Sequence, residues 1–267
     1  MHKKRIIFTL LYDDGFFMLS RNFRLQKVGD LQWLKKNYNF SHIAFSIDEL
    51  IILDVTRGER NEEKFHDHVR SLNEECFIPI AAGGGIRTLE QARKLLYSGA
   101  DKVVLNNLVT KNSNIVLEIA KEFGQQSIVA SIDVKLVGQE FTVWTSNGSV
   151  ECEHDLTKML INIERLPVGE LYLNSIDRDG TGHGYQTELL DCIPNLFSIP
   201  VILAGGAGKY EHISKGLSDA RVDAVATAHL FNFVGDGLEK TRKKLLDENF
   251  NLATWEADLA KDLLNCV

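Results

Sequence analysis

The sequence predicts one (β/α)8 barrel, or TIM barrel, that spans residues 1–267 as a single domain. Three observations predict it: short apolar runs alternate with amphipathic stretches, the chain has the length of such a barrel, and its two halves repeat each other. Most of the apolar runs are continuous, as expected for strands that are covered on both faces. The predicted strands are 5–11, 49–54, 78–82, 102–105, 127–133, 170–175, 200–204 and 224–228.

Amphipathic stretches between these runs predict the helices. Residues 89–98 place apolar side chains on one stripe at helical spacing, and residues 112–123 do the same. In the second stretch we expect Leu117 and Ile119 on the apolar stripe.

Two segments lie outside the simple alternation of strand and helix. An insert at about 136–152 alternates in polarity and contains Asn147-Gly148, which predicts a β-hairpin at the top of the barrel. The C-terminal extension, 250–267, is predicted to be an extra amphipathic helix without an assigned function.

An internal repeat relates the half-barrels, about 1–123 and 124–249, at an offset of about 122 residues. IPIAAGGGIR in the first half matches IPVILAGGAG in the second. Gly-rich turns before a helix present backbone N–H groups that suit a phosphate. Two of them at symmetric positions predict a ligand with two phosphates, although each turn alone could be a plain tight connection.

Composition excludes several classes of function. The net charge of −7 and the lack of a basic block argue against nucleic-acid or anionic-membrane binding. The four cysteines are far apart, as in reduced thiols, and no His/Cys/Asp set has metal-ligand spacing. The apolar run near the N-terminus ends at Asp13-Asp14, too early for a signal peptide. We therefore expect a soluble cytoplasmic protein without a metal.

Six segments run in order along nearly the whole chain: KRII, LDVTRGERN, IPIAAGGGIRTLEQARKLLYSGADKVVLNN, SIDVK, SIDRDGTGHGY and IPVILAGGAG. They closely resemble the cyclase subunit of imidazole glycerol phosphate synthase, of histidine biosynthesis. The resemblance implies a barrel with a two-fold repeat that forms a heterodimer with a separate glutaminase subunit. Ammonia from that subunit would pass through the barrel core and cleave a bisphosphorylated ribulosyl intermediate. The products would be imidazole glycerol phosphate and an aminoimidazole carboxamide ribotide, and the resemblance implies no cofactor.

The resemblance also implies two catalytic aspartates, at the ends of strands one and five. Asp133 stands at the strand-five position, but Leu11 stands at the other and cannot transfer a proton. A lysine usual in the following loop is replaced by Leu19. Asp13, two residues after Leu11, is a possible substitute because it would share the same face of the strand.

Further positions are expected to bind substrate or phosphate. Asn107 and Asn174 stand where the family has threonine, and His229 stands where it has serine. Asp54 ends a strand that faces the mouth, where a substrate role and a structural role are both open. The full set is Asp54, Gly85, Asn106, Asn107, Asn174, Asp179, Gly180, Gly206, Ala228 and His229.

The family gates its ammonia passage with a ring of charges at the other end of the barrel. The matching residues here are Arg5, Glu49, Lys102 and Glu170, and all four are charged. Asp101 matches a position that faces the glutaminase.

Three functions stay open. Leu11, Leu19 and His229, with the charges of the gate intact, favour a paralogue of the kind found in surface-polysaccharide clusters, where ammonia would serve amidation of a sugar. An authentic cyclase, with Asp133 and Asp13 sharing the chemistry, is the second. The third is a non-catalytic scaffold that binds a phosphosugar and the glutaminase. The isomerase of the preceding histidine step shares the fold, but SIDRDGTG and the gate charges argue against it.

Overall fold

The computed structural model describes residues 3–37, 46–228 and 237–254, and in it eight parallel strands close into a barrel. Each strand pairs with the next, and the last, β12, pairs with the first, β1. The predicted barrel is therefore confirmed. Its strands are β1 (Arg5–Asp13), β4 (Glu49–Asp54), β5 (Ile80–Gly83), β6 (Lys102–Leu105), β7 (Ile128–Val137), β10 (Glu170–Ser175), β11 (Val201–Ala204) and β12 (Ala224–Thr227).

Helices connect the strands and bury one apolar stripe each against the barrel. In the described parts of the chain they are α1 (Leu31–Asn37), α2 (Glu62–Asn73), α3 (Leu89–Tyr97), α4 (Asn107–Lys111), α5 (Ser113–Phe123), α6 (Leu156–Ile163), α7 (Tyr210–Ser218) and α8 (Gly237–Asp247). Between β10 and β11 the chain forms a 3-10 helix at Thr187–Cys192 instead of an α-helix. None of the helices that the structure describes is long and apolar enough to cross a membrane.

In helix α5 the predicted apolar stripe is confirmed for Ile119 and is wrong for Leu117. Val116 and Ile119, three residues apart, are buried, whereas Leu117 is 50% exposed. Helical geometry explains the error, since Leu117 and Ile119 are separated by about 200° around the helix axis.

The predicted insert near 136–152 corresponds to two strands that continue from β7. They are β8 (Glu140–Thr145) and β9 (Val150–Asp155), with β8 antiparallel to β7 and β9 antiparallel to β8. Asn147 and Gly148 lie in the turn between them with φ of 56° and 71°. Such left-handed angles are what this pair of residues tolerates best.

A second hairpin, β2 (Phe16–Arg21) and β3 (Arg24–Asp30), follows β1 and was not predicted. Its two turn residues, Asn22 and Phe23, have φ of 50° and 61°. A tight hairpin turn needs this left-handed pair, which glycine usually provides. Because phenylalanine stands at the second position, the sequence lacked the usual signal for the turn.

The inward-pointing side chains form successive levels along the barrel axis. A charged level lies at the N-terminal ends of the strands, and an apolar level lies above it. The apolar side chains above the charged level form one buried cluster, which includes two successive inward positions on β11 and on β12: Ile7, Ile51, Ala81, Val104, Val129, Tyr172, Ile202, Ala204, Ala224 and Ala226.

The two ends of the described chain meet at the N-terminal end of the barrel. Lys4 and Leu252 form a parallel bridge, and Arg242 of α8 donates to both carboxylate oxygens of Asp48 at 2.9 and 2.7 Å. Asp48 also accepts from the backbone N–H of Ile6. Residues 255–267 lie outside the described residues, so the helix predicted there stays a prediction.

The Arg242–Asp48 pair predicts a large loss of stability when its cation is removed. We expect Arg242→Met to lower the free energy of unfolding by roughly 3 kcal/mol, because Asp48 would keep a buried charge without its partner. The control is Arg221→Met, whose exposed pairs with Asp191 and Asp219 should cost less than about 1 kcal/mol. Urea unfolding measures both, and equal losses would contradict the prediction.

Candidate active site

A cavity of about 730 Å³ opens at the C-terminal ends of the barrel strands. Its size is typical of a site for a small organic ligand. Of the predicted substrate and catalytic positions, His229 lies outside the described residues. The others meet at the wall of this cavity: Asp54, Gly85, Asn106, Asn107, Asp133, Asn174, Asp179, Gly180, Gly206 and Ala228.

Asp133 is held in this wall by two side-chain amides. Asn174 Nδ2 donates to one carboxylate oxygen at 3.0 Å, and Asn106 Nδ2 donates to the other at 3.1 Å. Burial raises the pKa of Asp133 to about 6, even though both hydrogen bonds favour the ionised form and lower the pKa. A carboxyl group with this pKa can both accept and donate protons near neutral pH.

On β1, the position that corresponds to Asp133 on β7 carries an apolar side chain, Leu11. Leu11 and Leu19 both line the cavity. Asp13 is not among the lining residues; it lies at the end of β1, paired with Phe16 across the β1–β2 turn. Because Asp13 is not in the described wall of the cavity, the structure gives no support to Asp13 as a substitute for the missing acid.

The two Gly-rich turns, after β5 and β11, line the cavity from opposite sides of the barrel. Gly84 and Gly85 have φ of 119° and 72°, and Gly205 and Gly206 have φ of 89° and 105°. A Cβ on Gly84 would lie 2.2 Å from the carbonyl oxygen of Asp54, so no other residue fits there. The tight turns leave backbone close to the cavity on both sides.

Asp54 is buried below the first of these turns and faces a cation. Its Oδ1 accepts from the Thr56 backbone N–H at 2.9 Å, and its Oδ2 lies 3.5 Å from Arg60 Nε. Burial raises the pKa of Asp54, while Thr56 and Arg60 act to lower it. Asp54 therefore holds its loop in place and also contributes to the wall of the cavity.

Asp179 and Gly180 lie in the loop after β10 and contact the β2–β3 hairpin. Asp179 accepts hydrogen bonds from the Ser20 hydroxyl and from the Phe23 backbone N–H, the latter at 3.0 Å. Burial raises the pKa of Asp179, and these two donors act against that rise. A Cβ on Gly180 would lie 1.8 Å from the Ser20 carbonyl oxygen, which explains the glycine. Asp179 thus positions the hairpin as well as lining the cavity.

At the opposite end of the barrel, Arg5, Glu49, Lys102 and Glu170 form a closed ring of ion pairs. Lys102 Nζ lies 3.0 Å from Glu49 and 2.7 Å from Glu170, and Arg5 lies 2.8 Å from Glu49 and also bonds Glu170. Burial raises the pKa of Glu49; burial also acts on Glu170, but Arg5 and Lys102 outweigh it and lower that pKa. We name these four residues the charged ring.

A model of the histidine biosynthesis protein family matches residues 32–235 of the chain. The chain belongs to this family.

Its curated relatives carry the names of imidazole glycerol phosphate synthase subunits. A Parasynechococcus marenigrum (strain WH8102) protein, provisionally named imidazole glycerol phosphate synthase subunit hisF2, is 47% identical over 96% of this chain and 95% of its own length. The subunit HisF of Chlorobium phaeovibrioides is 33% identical over 94% of this chain and 99% of its own. The HisF of Thermotoga sp. (strain RQ2) is 38% identical over 87% of this chain and 90% of its own.

Asp101, which was predicted to face the glutaminase, also makes a contact within the barrel. Its carboxylate accepts from the backbone N–H of Ile80 at 2.8 Å, at the start of β5. Asp223 does the same for Val201 at the start of β11, 2.9 Å away. Each aspartate thus accepts a hydrogen bond from the backbone N–H at the start of a barrel strand.

The arginines of the cavity were not among the predicted site residues. They lie on the β2–β3 hairpin and on the loops after β4 and β5, and they make the mouth cationic in a chain of net charge −7. The five that line the cavity are Arg21, Arg24, Arg57, Arg60 and Arg87. The signal was present in TRGERN, which begins two residues after the strand ends at Asp54.

The described part of the chain contains no cluster of three or more His, Cys, Asp or Glu side chains that could hold a metal ion.

The amide clamp, meaning the hydrogen bonds from Asn174 and Asn106 to Asp133, predicts a measurable effect on the pKa of Asp133. We expect Asn174→Ala to raise the pKa of Asp133 further above 6, by roughly one pH unit, because a hydrogen bond to the ionised carboxylate is lost. Carbon-13 NMR of labelled aspartate measures the pKa, with Asp133→Asn to assign the signal. Asn107→Ala is the control, since Asn107 accepts from Ser146 and does not touch Asp133. An unchanged midpoint in Asn174→Ala would contradict the clamp.

Proposed function

We propose that this chain is the ammonia-using subunit of a glutamine amidotransferase complex. A separate glutaminase subunit binds the end of the barrel that carries the charged ring, and ammonia moves through the barrel to the cavity. There it meets a phosphorylated, sugar-type acceptor that differs from the cyclase intermediate. Supply of ammonia for amidation of a surface-polysaccharide sugar is the reaction we favour.

The observation behind this proposal is the contrast between the two ends of the barrel. The charged ring is complete, with each acid bonded to both Arg5 and Lys102. The cavity has one clamped acid, Asp133, and faces it with Leu11. Ring closure of the cyclase intermediate needs proton transfer on both sides. The retained ring therefore supports ammonia handling, while Leu11 supports a changed acceptor.

The phosphate part of the proposal is supported by charge and backbone geometry. The two Gly-rich turns face each other across the cavity, and five arginines line it. Guanidinium groups bind phosphate or carboxylate through paired hydrogen bonds. A phosphorylated acceptor fits these features better than a neutral sugar does.

An authentic cyclase is the second candidate. The pKa of about 6 for Asp133 favours it, because one carboxyl group can then act both as acid and as base. The names of the HisF relatives point the same way. This candidate requires that Leu11 be tolerated.

A cyclase assay with purified protein separates the candidates. The bisphosphorylated ribulosyl intermediate and an ammonium salt are supplied at high pH without a glutaminase, and loss of the intermediate is followed. We expect slow or no turnover for the natural chain. Leu11→Asp should raise turnover by roughly a hundredfold or more, because it restores a proton-transfer group in the right place.

Leu11→Asn is the matched control, since it has the shape and polarity of aspartate but cannot exchange a proton at this pH. Equal gains in both variants would show that polarity, not proton transfer, was missing. Robust turnover by the natural chain that Asp133→Asn abolishes would overturn the proposal and establish the cyclase. If no variant turns over the intermediate and the chain does not stimulate glutamine hydrolysis by a glutaminase partner, the non-catalytic scaffold is the candidate that remains.

A further inference from the structure

The interior of the barrel between the charged ring and the cavity contains one aromatic side chain, Tyr172, among its described residues. Inward-pointing residues alternate along β10, so Glu170, Tyr172 and Asn174 follow one another up the axis. Glu170 belongs to the charged ring, and Asn174 holds Asp133. Tyr172 therefore lies on the direct line between the two ends of the barrel.

Tyr172 reaches across the interior to β1. Its hydroxyl lies 3.2 Å from Thr9 Oγ1, although β11 and β12 separate β10 from β1 in the sheet. The inward residues of β11 and β12 beside it include Ala204 and Ala226, which share its cluster. These small side chains leave room for the ring to lie in front of both strands.

Both members of this pair are enclosed and yet form part of the cavity wall. Tyr172 is 5% exposed and Thr9 is 2% exposed, and both line the cavity. Below them lie aliphatic side chains such as Ile7, Ile51 and Val129. The straight route between the charged ring and the cavity therefore crosses these aliphatic side chains and passes the Tyr172–Thr9 pair.

We propose that Tyr172, bonded to Thr9, is a second constriction that admits neutral ammonia to the cavity and keeps out cations. The inference rests on the proposed function. It adds a specificity-determining pair to the ammonia route, distinct from the charged ring.

The chemistry of the two hydroxyls fits this task. Each can donate and accept one hydrogen bond, so they can exchange their mutual bond for bonds to ammonia, which has three N–H groups and one lone pair. Ammonium would have to shed its hydration among aliphatic side chains, at a cost that the two neutral hydroxyls do not offset. Burial raises the pKa of Tyr172 well above its ordinary value, so the phenol stays neutral.

The first test measures closure of the passage and needs neither acceptor nor partner. Val129→Cys places a thiol beneath Tyr172, because Val129 pairs in register with Glu170 and is 0% exposed. Its labelling by neutral methyl methanethiosulfonate is followed by peptide mass spectrometry, which separates it from the natural cysteines. Tyr172→Leu is then added, since leucine fills the apolar level but cannot reach Thr9.

We expect Tyr172→Leu to speed labelling by at least about tenfold, because a close-packed interior admits a probe only after a side chain is removed. Tyr172→Phe keeps the ring and should change the rate little. Asn107→Cys, at the lip of the cavity, controls for reagent access and should label equally in all backgrounds. Equal labelling rates of the introduced thiol with tyrosine and with leucine at position 172 would overturn the constriction, provided that thermal unfolding shows both variants folded.

The second test compares turnover with two sources of ammonia in the complex with the glutaminase subunit. Glutamine-driven turnover uses the passage, whereas turnover driven by added ammonium salt enters from the mouth. We expect Tyr172→Phe and Thr9→Val to lower the ratio of the first to the second several-fold. An unchanged ratio in both would overturn the role of the hydroxyls. Failure of both nitrogen sources in the natural chain would count against the proposed function alone, and the labelling rates would still decide the constriction.

Discussion

The register between β7 and β10 determines which side chains lie together inside the barrel. Glu170 pairs with Val129, Tyr172 pairs with Ser131, and Asn174 pairs with Asp133. A slip of one residue would turn every inward side chain of β10 outward. The acid of the charged ring, the aromatic side chain in the interior and the amide that holds Asp133 are thus consequences of a single strand pairing.

The two halves of the barrel share a backbone but no longer share their chemistry. The Gly-rich turns after β5 and β11 both have glycines at positive φ, so both sides of the cavity expose backbone to its interior. Leu11 and Asp133, in contrast, stand at equivalent positions of the repeat and differ completely in proton affinity. A single carboxyl group on one side of the cavity suits a reaction in which ammonia adds to an activated carbon and few protons are transferred. It is less well suited to a ring closure that needs several proton transfers.

The sequence was enough for the barrel, its eight strands and most of the cavity wall, because parallel strands are continuous apolar runs and their C-terminal ends meet at one face. Features that depend on closure in three dimensions were not predictable. The contact of Tyr172 with Thr9, for example, joins strands that are not neighbours in the sheet. The β2–β3 hairpin was missed because Phe23 occupies a position where glycine normally marks the turn.

Closure of the barrel also has a consequence for how the chain reaches its native state. β1 pairs with β12, and the partners Arg5 and Ala224 come from opposite ends of the sequence. Contacts with such separation form late, because the entropy of ordering the intervening chain must be lost first. During synthesis, one edge of β1 therefore stays unpaired until almost the whole chain has emerged. An open strand edge is a template for wrong pairing, so the interval before β12 arrives is when this protein is most exposed to aggregation.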